Sequence, residues 1–313
     1  MAMSGHPSGQ TSLCRSQWGA FIKAFLISIV AVQLVFVDCV TAQTDFDRWD
    51  EMNEAASDAL GRNDANRGLE LALEAYEFAR ERFGSADSLT SISRLNAATA
   101  YADLGRVEEA IELYELDLSQ TRATISKGDL YTKLDSLNLL YLDQDQPAKA
   151  IATYKEMAEL LRDYPELVGS KGDLVVVLRL IGRLGIDDGQ YSEAEGPLRE
   201  AFDVASVYPD AVISLALLVD ALEEQGKYNE AIAAIEGFRS SIEEQTPPDD
   251  HGLFLLRRLG SFYGAVGRYD TAEDTFEDIK KFGGRTSEHN LDIAVRLLTL
   301  KQEQGEVGEV TLP

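Results

Sequence analysis

Residues 94–115 read RLNAATAYADLGRVEEAIELYE, and the fold follows from how this stretch is spaced. Ala98, Tyr101, Gly105, Val107, Ala110 and Tyr114 stand where two short helices joined by a tight turn would place them. The pattern then returns. The counterparts of Gly105, Val107, Ala110 and Tyr114 are Asp145, Pro147, Ala150 and Tyr154, then Gly189, Tyr191, Ala194 and Leu198. They recur again as Gly226, Tyr228, Ala231 and Ile235, and as Gly267, Tyr269, Ala272 and Phe276. A degenerate copy precedes them at Asn63, Ala65, Gly68 and Ala72. From Gly68 through Ala110, Ala150, Ala194, Ala231 and Ala272 the steps are 42, 40, 44, 37 and 41 residues, so the unit is about forty residues with loops of varying length.

Each repeated position has a physical task. A residue closing a helix in the left-handed conformation should be Gly, or Asn or Asp, which tolerate it. Five positions on, a small residue lets the second helix approach the first. One turn further along the same face, a large apolar side chain fills the space between neighbouring repeats. No stretch of useful length alternates as a strand would.

Tyr101, Gly105, Ala110 and Tyr114, with GQYSEAEGPLREA at 189–201 and GRYDTAEDTF at 267–276, resemble tetratricopeptide repeats. The long period resembles the expanded repeats of kinesin light chains. The resemblance runs from about Asp45 to the C-terminus by pattern rather than identity. It departs from the family where Pro147 replaces the aromatic of the third repeat and where the early helix position of the clear repeats carries no Trp. It implies an all-α, right-handed α–α superhelix of about six helix pairs, closed by a C-terminal capping helix.

Outside the repeats the chain divides once. Residues 1–42 read as an export signal, with Arg15 and Lys23 ahead of an apolar run, AFLISIVAVQLVFV at 24–37, and small residues at Val40-Thr41-Ala42. Cleavage is expected after Ala42. The competing reading is an uncleaved anchor, for which the run is short of the roughly twenty residues of a membrane span. A lipid-bearing Cys39 fits weakly, because Asp38 occupies a position that wants a small residue. Cys14 and Cys39 are the only cysteines of the chain and both precede the cleavage point, so residues 43–313 hold no disulfide. These features point to the bacterial periplasm, or to an inner-membrane anchor facing it.

Charge excludes some partners. Asp and Glu number 54 against 29 Lys and Arg, a formal net charge of -25, which is unsuited to nucleic acid or to an anionic membrane surface. Any membrane contact is expected only through an uncleaved N-terminal segment.

Helix pairs are expected at about 45–60 with 65–83, 87–104 with 107–121, 128–143 with 147–163, 171–187 with 191–206, 210–225 with 228–243 and 250–266 with 269–281. An unpaired helix at about 287–303 would be the cap. Pro147 suits a first helical turn, Pro197 falls inside a helix, and TPPDD at 246–250 is the clearest break in the array.

Catalytic chemistry finds little footing. His251 and His289 are the only histidines beyond residue 42, and neither has a second histidine at helical ligand spacing. No cofactor motif is read. Gly182 and Gly185 lie inside a helix, where they serve close packing; a phosphate loop would need a strand before them.

The resemblance further implies a concave face lined by the first helix of each pair. On that reading it includes Asp135 and Asp143, then Arg179, Arg183 and Asp187, then Asp220 and Glu224, and finally Phe254, Arg257 and Ser261. Arg179 and Arg183 are one turn apart, placed either to grip a carboxylate or to neutralise neighbouring acids. The function expected is a non-enzymatic scaffold or adaptor that holds a protein or peptide partner in this groove. The alternative is an all-helical carbohydrate-binding or carbohydrate-processing protein, which would need aromatics and acids clustered at helix ends.

Overall fold

The computed structural model describes residues 41–167, 171–205, 207–245 and 248–282, with residues 295, 296, 299 and 302. Residues 41–61 are helical (α1). They are followed by Ala65–Arg82 (α2), Ser88–Asp103 (α3), Val107–Thr121 (α4), Lys127–Asp143 (α5) and Pro147–Asp163 (α6). Then come Lys171–Asp187 (α7), Tyr191–Val204 (α8), Tyr208–Glu224 (α9), Tyr228–Glu243 (α10), Asp250–Ala265 (α11) and Tyr269–Phe282 (α12). No strand occurs among the described residues. The expected all-α helix pairs are therefore present, with α2 on α3 and α3 on α4, and from α5 to α12 each helix packing on the next. The export signal, save for residues 41 and 42, lies outside the described residues. So does most of the expected C-terminal cap, of which 295, 296, 299 and 302 are helical.

The six hairpins share one turn. In the second, Arg106 N–H donates to the Tyr101 carbonyl at 2.9 Å and Gly105 N–H donates to Ala102 at 2.9 Å. This is the paired bonding that ends a helix on a left-handed residue. The first of these two bonds recurs from Asp64 to Ala59, Gln146 to Tyr141, Gln190 to Gly185, Lys227 to Leu222 and Arg268 to Tyr263. The turn residue has φ between 68° and 75° at Gly105, Gly189, Gly226 and Gly267, and Asn63 and Asp145 take the same conformation at 60° and 52°. Asp145 thus stands, with a Cβ, where its counterparts in the later repeats have none.

Some helix starts are capped from side chains, and those at Pro147, Tyr191, Tyr208 and Tyr228 are not. Asp87 accepts from Leu89 N–H at 2.8 Å, Ser126 from Asp129 N–H at 3.1 Å and Asp249 from Gly252 N–H at 2.7 Å. Pro147 sits at the first position of α6, where its missing N–H costs nothing. Pro197 is accommodated inside α8, which continues to Val204.

The chain divides into two compact units, one ending at Thr121 and the other beginning at Arg122. In the first, Trp49 is 4% exposed, and its indole donates to Ser93 Oγ at 2.8 Å. Ser93 donates to Asn53 at 3.3 Å, and Asn96 donates to the same oxygen at 2.9 Å. Tyr114, on α4, is only half-buried.

In the second unit the crossings are tight. Ala150, Ala194, Ala231 and Ala272 are at most 1% exposed, and Leu198, Ile235 and Phe276 behind them are equally buried. A Cβ on Gly182 would sit 2.3 Å from Leu198 Cγ, so this glycine is a packing residue, as its place inside a helix implies. Ala231→Leu is expected to cost about 1–3 kcal/mol, because the added carbons have no room at the crossing. A urea titration of the full chain followed by helical circular dichroism checks it; an unchanged midpoint would contradict the packing described.

Ion pairs stitch the second helices together. Arg162 grips Glu200 with two bonds of 2.8 and 2.7 Å, Lys227 holds Glu195 at 2.7 Å, and Arg239 reaches Asp278 at 3.2 Å. The carboxyl of Glu195 is held below the usual glutamate range chiefly by its bond from Lys227. Exposed pairs of this kind contribute roughly 0–1 kcal/mol each. Their larger effect is to occupy the few bases of an acidic chain.

Candidate functional site

The first helices of the second unit are α5, α7, α9 and α11, and counting back from each turn residue aligns their side chains in rows. Asp135, Arg179 and Arg257 stand ten positions before the turn, Arg183, Asp220 and Ser261 six before, and Asp143, Asp187 and Glu224 two before. These are spacings of one helical turn, so each set continues along one stripe.

Arg179 and Arg183 of this stripe each stand beside an acid. Nη1 of Arg179, whose side chain is 17% exposed, lies 3.3 Å from Asp210 Oδ1 without the alignment of a hydrogen bond. Arg183 meets Asp187 at 3.4 Å on its own helix, both largely exposed. Arg258, which the sequence reading did not single out, ties α11 to α9 through Asp220 at 3.2 Å and through Glu223. Its guanidinium also lies 4.9 Å from the ring centre of Phe254. Burial raises the Asp220 carboxyl above the usual aspartate range, against the opposing pull of Arg258 and Arg183. Ser261 accepts from Arg296 at 2.6 Å. Of the two roles open to Arg179 and Arg183, contact with neighbouring acids is the one formed here.

Carboxylates are left over. Asp135, Asp143 and Glu224 are exposed and make no ion pair among the described residues. Asp135 acts on its surroundings through space. Burial, with Asp135 and Asp173 adding to it, pushes the Tyr131 hydroxyl up to about 12.

Apolar side chains on the same stripe were missed. Leu139 on α5 is 63% exposed and Val176 on α7 is 44% exposed. Leu139 shares the row of Arg183 and Asp220, so the count from the turn would have found it. Near the ends of these helices lies a cavity of about 270 Å³ lined by Leu142, Asp145, Gln146, Pro147, Leu184, Asp187 and Asp188.

His251 is exposed at the start of α11, and His289 lies outside the described residues. No cluster of three or more His, Cys, Asp or Glu among the described residues is arranged to hold a metal ion. The large aromatics Tyr141, Tyr154, Phe262, Tyr263 and Phe276 are buried in helix packing. Among the described residues, no helix is long and apolar enough to cross a membrane.

Comparison with known proteins agrees with this geometry. Residues 56–122 and 180–247 match the tetratricopeptide repeat family model, and over these stretches the resemblance read from Gly105, Ala110 and their counterparts holds. None of the curated proteins matches the chain. Among solved structures, the apo form of RapI is similar at 11% identity, over 82% of this chain and 81% of that one, with a TM-score of 0.51. At that identity the likeness concerns the fold alone. A tetratricopeptide repeat protein from Parabacteroides merdae is similar at 21% identity over 82% of this chain and 87% of that one, with a TM-score of 0.42. Repeats of a putative kinesin light chain from Podosopora anserina are similar at 17% identity, over 75% and 94% of the two chains, with a TM-score of 0.32.

Proposed function

We propose that this chain is an exported, non-catalytic interaction scaffold that holds a protein or peptide partner along the first helices of its repeats. The observation that carries the reading is the stripe itself. On α5 and α7 it presents Leu139 and Val176 to solvent among charged residues, on helices whose other apolar side chains are buried or half-buried. Exposed apolar groups rimmed by polar ones mark interaction surfaces, and repeat arrays offer them as extended faces. Asp135, Asp143, Arg179, Arg183, Asp187, Asp220, Glu224, Phe254, Arg257 and Ser261 belong to this proposed surface.

The proposed location is the bacterial periplasm, after removal of residues 1–42. N-terminal sequencing of the protein from the envelope is expected to begin at Gln43. The alternative, an anchor in the inner membrane facing the periplasm, would leave residues 1–42 in place.

A photo-reactive residue placed at Leu139 or at Val176 of the full chain tests the groove. Both positions are expected to capture the same partner in the native cell, while the same residue at the exposed Leu116 on α4 does not. Equal capture from all three positions, or none from any, would remove the groove as the binding surface.

A further inference from the structure

The sign of the partner's charge can be taken further, and the argument rests on the groove reading just given. Between the α5–α6 turn and the C-terminal end of α7, the cavity of about 270 Å³ has apolar walls in Leu142, Pro147 and Leu184. Its polar lining includes the carboxylates of Asp145, Asp187 and Asp188, all three on exposed residues. Small-molecule sites generally occupy about 300–1,000 Å³, so this cavity is suited to one long side chain rather than a cofactor.

The carboxylates are poorly compensated. Asp145 makes no ion pair among the described residues, Asp187 has Arg183 at 3.4 Å across exposed surface, and Asp188 accepts only from the neutral Gln190 amide at 2.6 Å. The C-terminal carbonyls of α5 and α7 end here as well and favour positive charge. A metal ion is a poor candidate, since these acids are not arranged as a ligand set. An organic cation on an aliphatic stem satisfies both halves of the lining, with methylenes against the walls and the charged head among the carboxylates.

We propose that this cleft takes a lysine or arginine side chain of a partner protein, whose extended segment continues over the exposed Leu139, one turn earlier on α5. The groove therefore selects basic segments, and its Arg179 and Arg183, each beside an acid, do not serve as anchors for an acidic one. Asp145 offers an unusual test, because it occupies a left-handed turn position at φ 52° that glycine fills in the later repeats. Replacing it with glycine should relieve the backbone while removing a ligand group.

The experiment uses the full chain and a short fluorescein-labelled peptide of lysine, leucine and serine, with a matching peptide in which glutamate replaces lysine. Anisotropy titrations are expected to show saturable binding of the basic peptide only. Asp145→Gly combined with Asp187→Asn is expected to weaken it by about tenfold or more. Asp145→Gly alone should melt no lower than the parent. A control variant, Asp50→Asn with Glu51→Gln and Glu54→Gln on exposed α1 positions, removes more negative charge and should change binding less than about twofold, if a local site is responsible. Equal weakening by the control would show that only the overall negative field attracts the peptide and would overturn the inference. Binding of the glutamate peptide in place of the basic one would overturn it too, while leaving the groove reading intact. Failure of both peptides, together with no capture from position 176, would remove both.

Discussion

Asp117→Ala is expected to destabilise the first unit by about 3–5 kcal/mol, the largest effect of any single substitution there. Arg94 and Asp117 are both wholly buried, with Nη1 of the arginine 2.6 Å from Asp117 Oδ1. The other terminal nitrogen of Arg94 donates to the Ser85 carbonyl at 2.7 Å and to Gln120 at 2.8 Å, and its guanidinium lies 5.2 Å from the Tyr76 ring centre. Removing the carboxylate leaves a guanidinium charge in the interior with only neutral acceptors. Removing both members, in Arg94→Met with Asp117→Leu, should cost much less, since no charge is then left stranded. Trp49 reports on this unit when Trp18 is replaced by Phe, so urea titrations followed by indole fluorescence check both variants. A loss below about 1 kcal/mol for Asp117→Ala would show that water reaches the arginine.

Phe276→Ala is expected to cost the second unit a similar amount, about 3–5 kcal/mol, for a different reason. The ring is 1% exposed and lies against α11 where that helix has Gly260. A Cβ built on Gly260 would be 2.8 Å from Phe276 Cζ, so the glycine and the ring occupy one shared volume. Gly260→Ala alone is therefore expected to cost about 1–3 kcal/mol through overpacking. Added to Phe276→Ala it should cost nothing further, and part of the loss should return, because alanine fills some of the vacated space and favours the helix. The four proteins of this cycle, compared by urea titration with circular dichroism, should show strong non-additivity. Costs that simply summed would mean that the two residues do not share that space.

The groove shows a similar division between local and distant effects. The rows of Asp135, Arg179 and Arg257, or of Arg183, Asp220 and Ser261, could be counted from the turn residues, because helical periodicity carries position along one helix. Whether an arginine on that stripe is available could not be counted. It depends on which acid a neighbouring helix places beside it: Asp210 for Arg179, and Asp220 and Glu223 for Arg258. The acids that make no ion pair among the described residues, and the cavity beside Asp187, are products of that matching.

By itself the sequence determined the helix pairs, their turns and the small residues at the crossings. These follow from interactions within one hairpin, where a left-handed turn residue and a small side chain five positions later act over a few residues. Only the tertiary structure decided that Arg94 is interior and bonded to Asp117, that Trp49 reaches Ser93, and that Arg162 grips Glu200. Those partners lie 23, 44 and 38 residues apart, on helices whose relative rotation is set by the packing of every side chain between them. An arginine in a helix is ordinarily a surface group, and no local pattern marks the one that the stacking encloses.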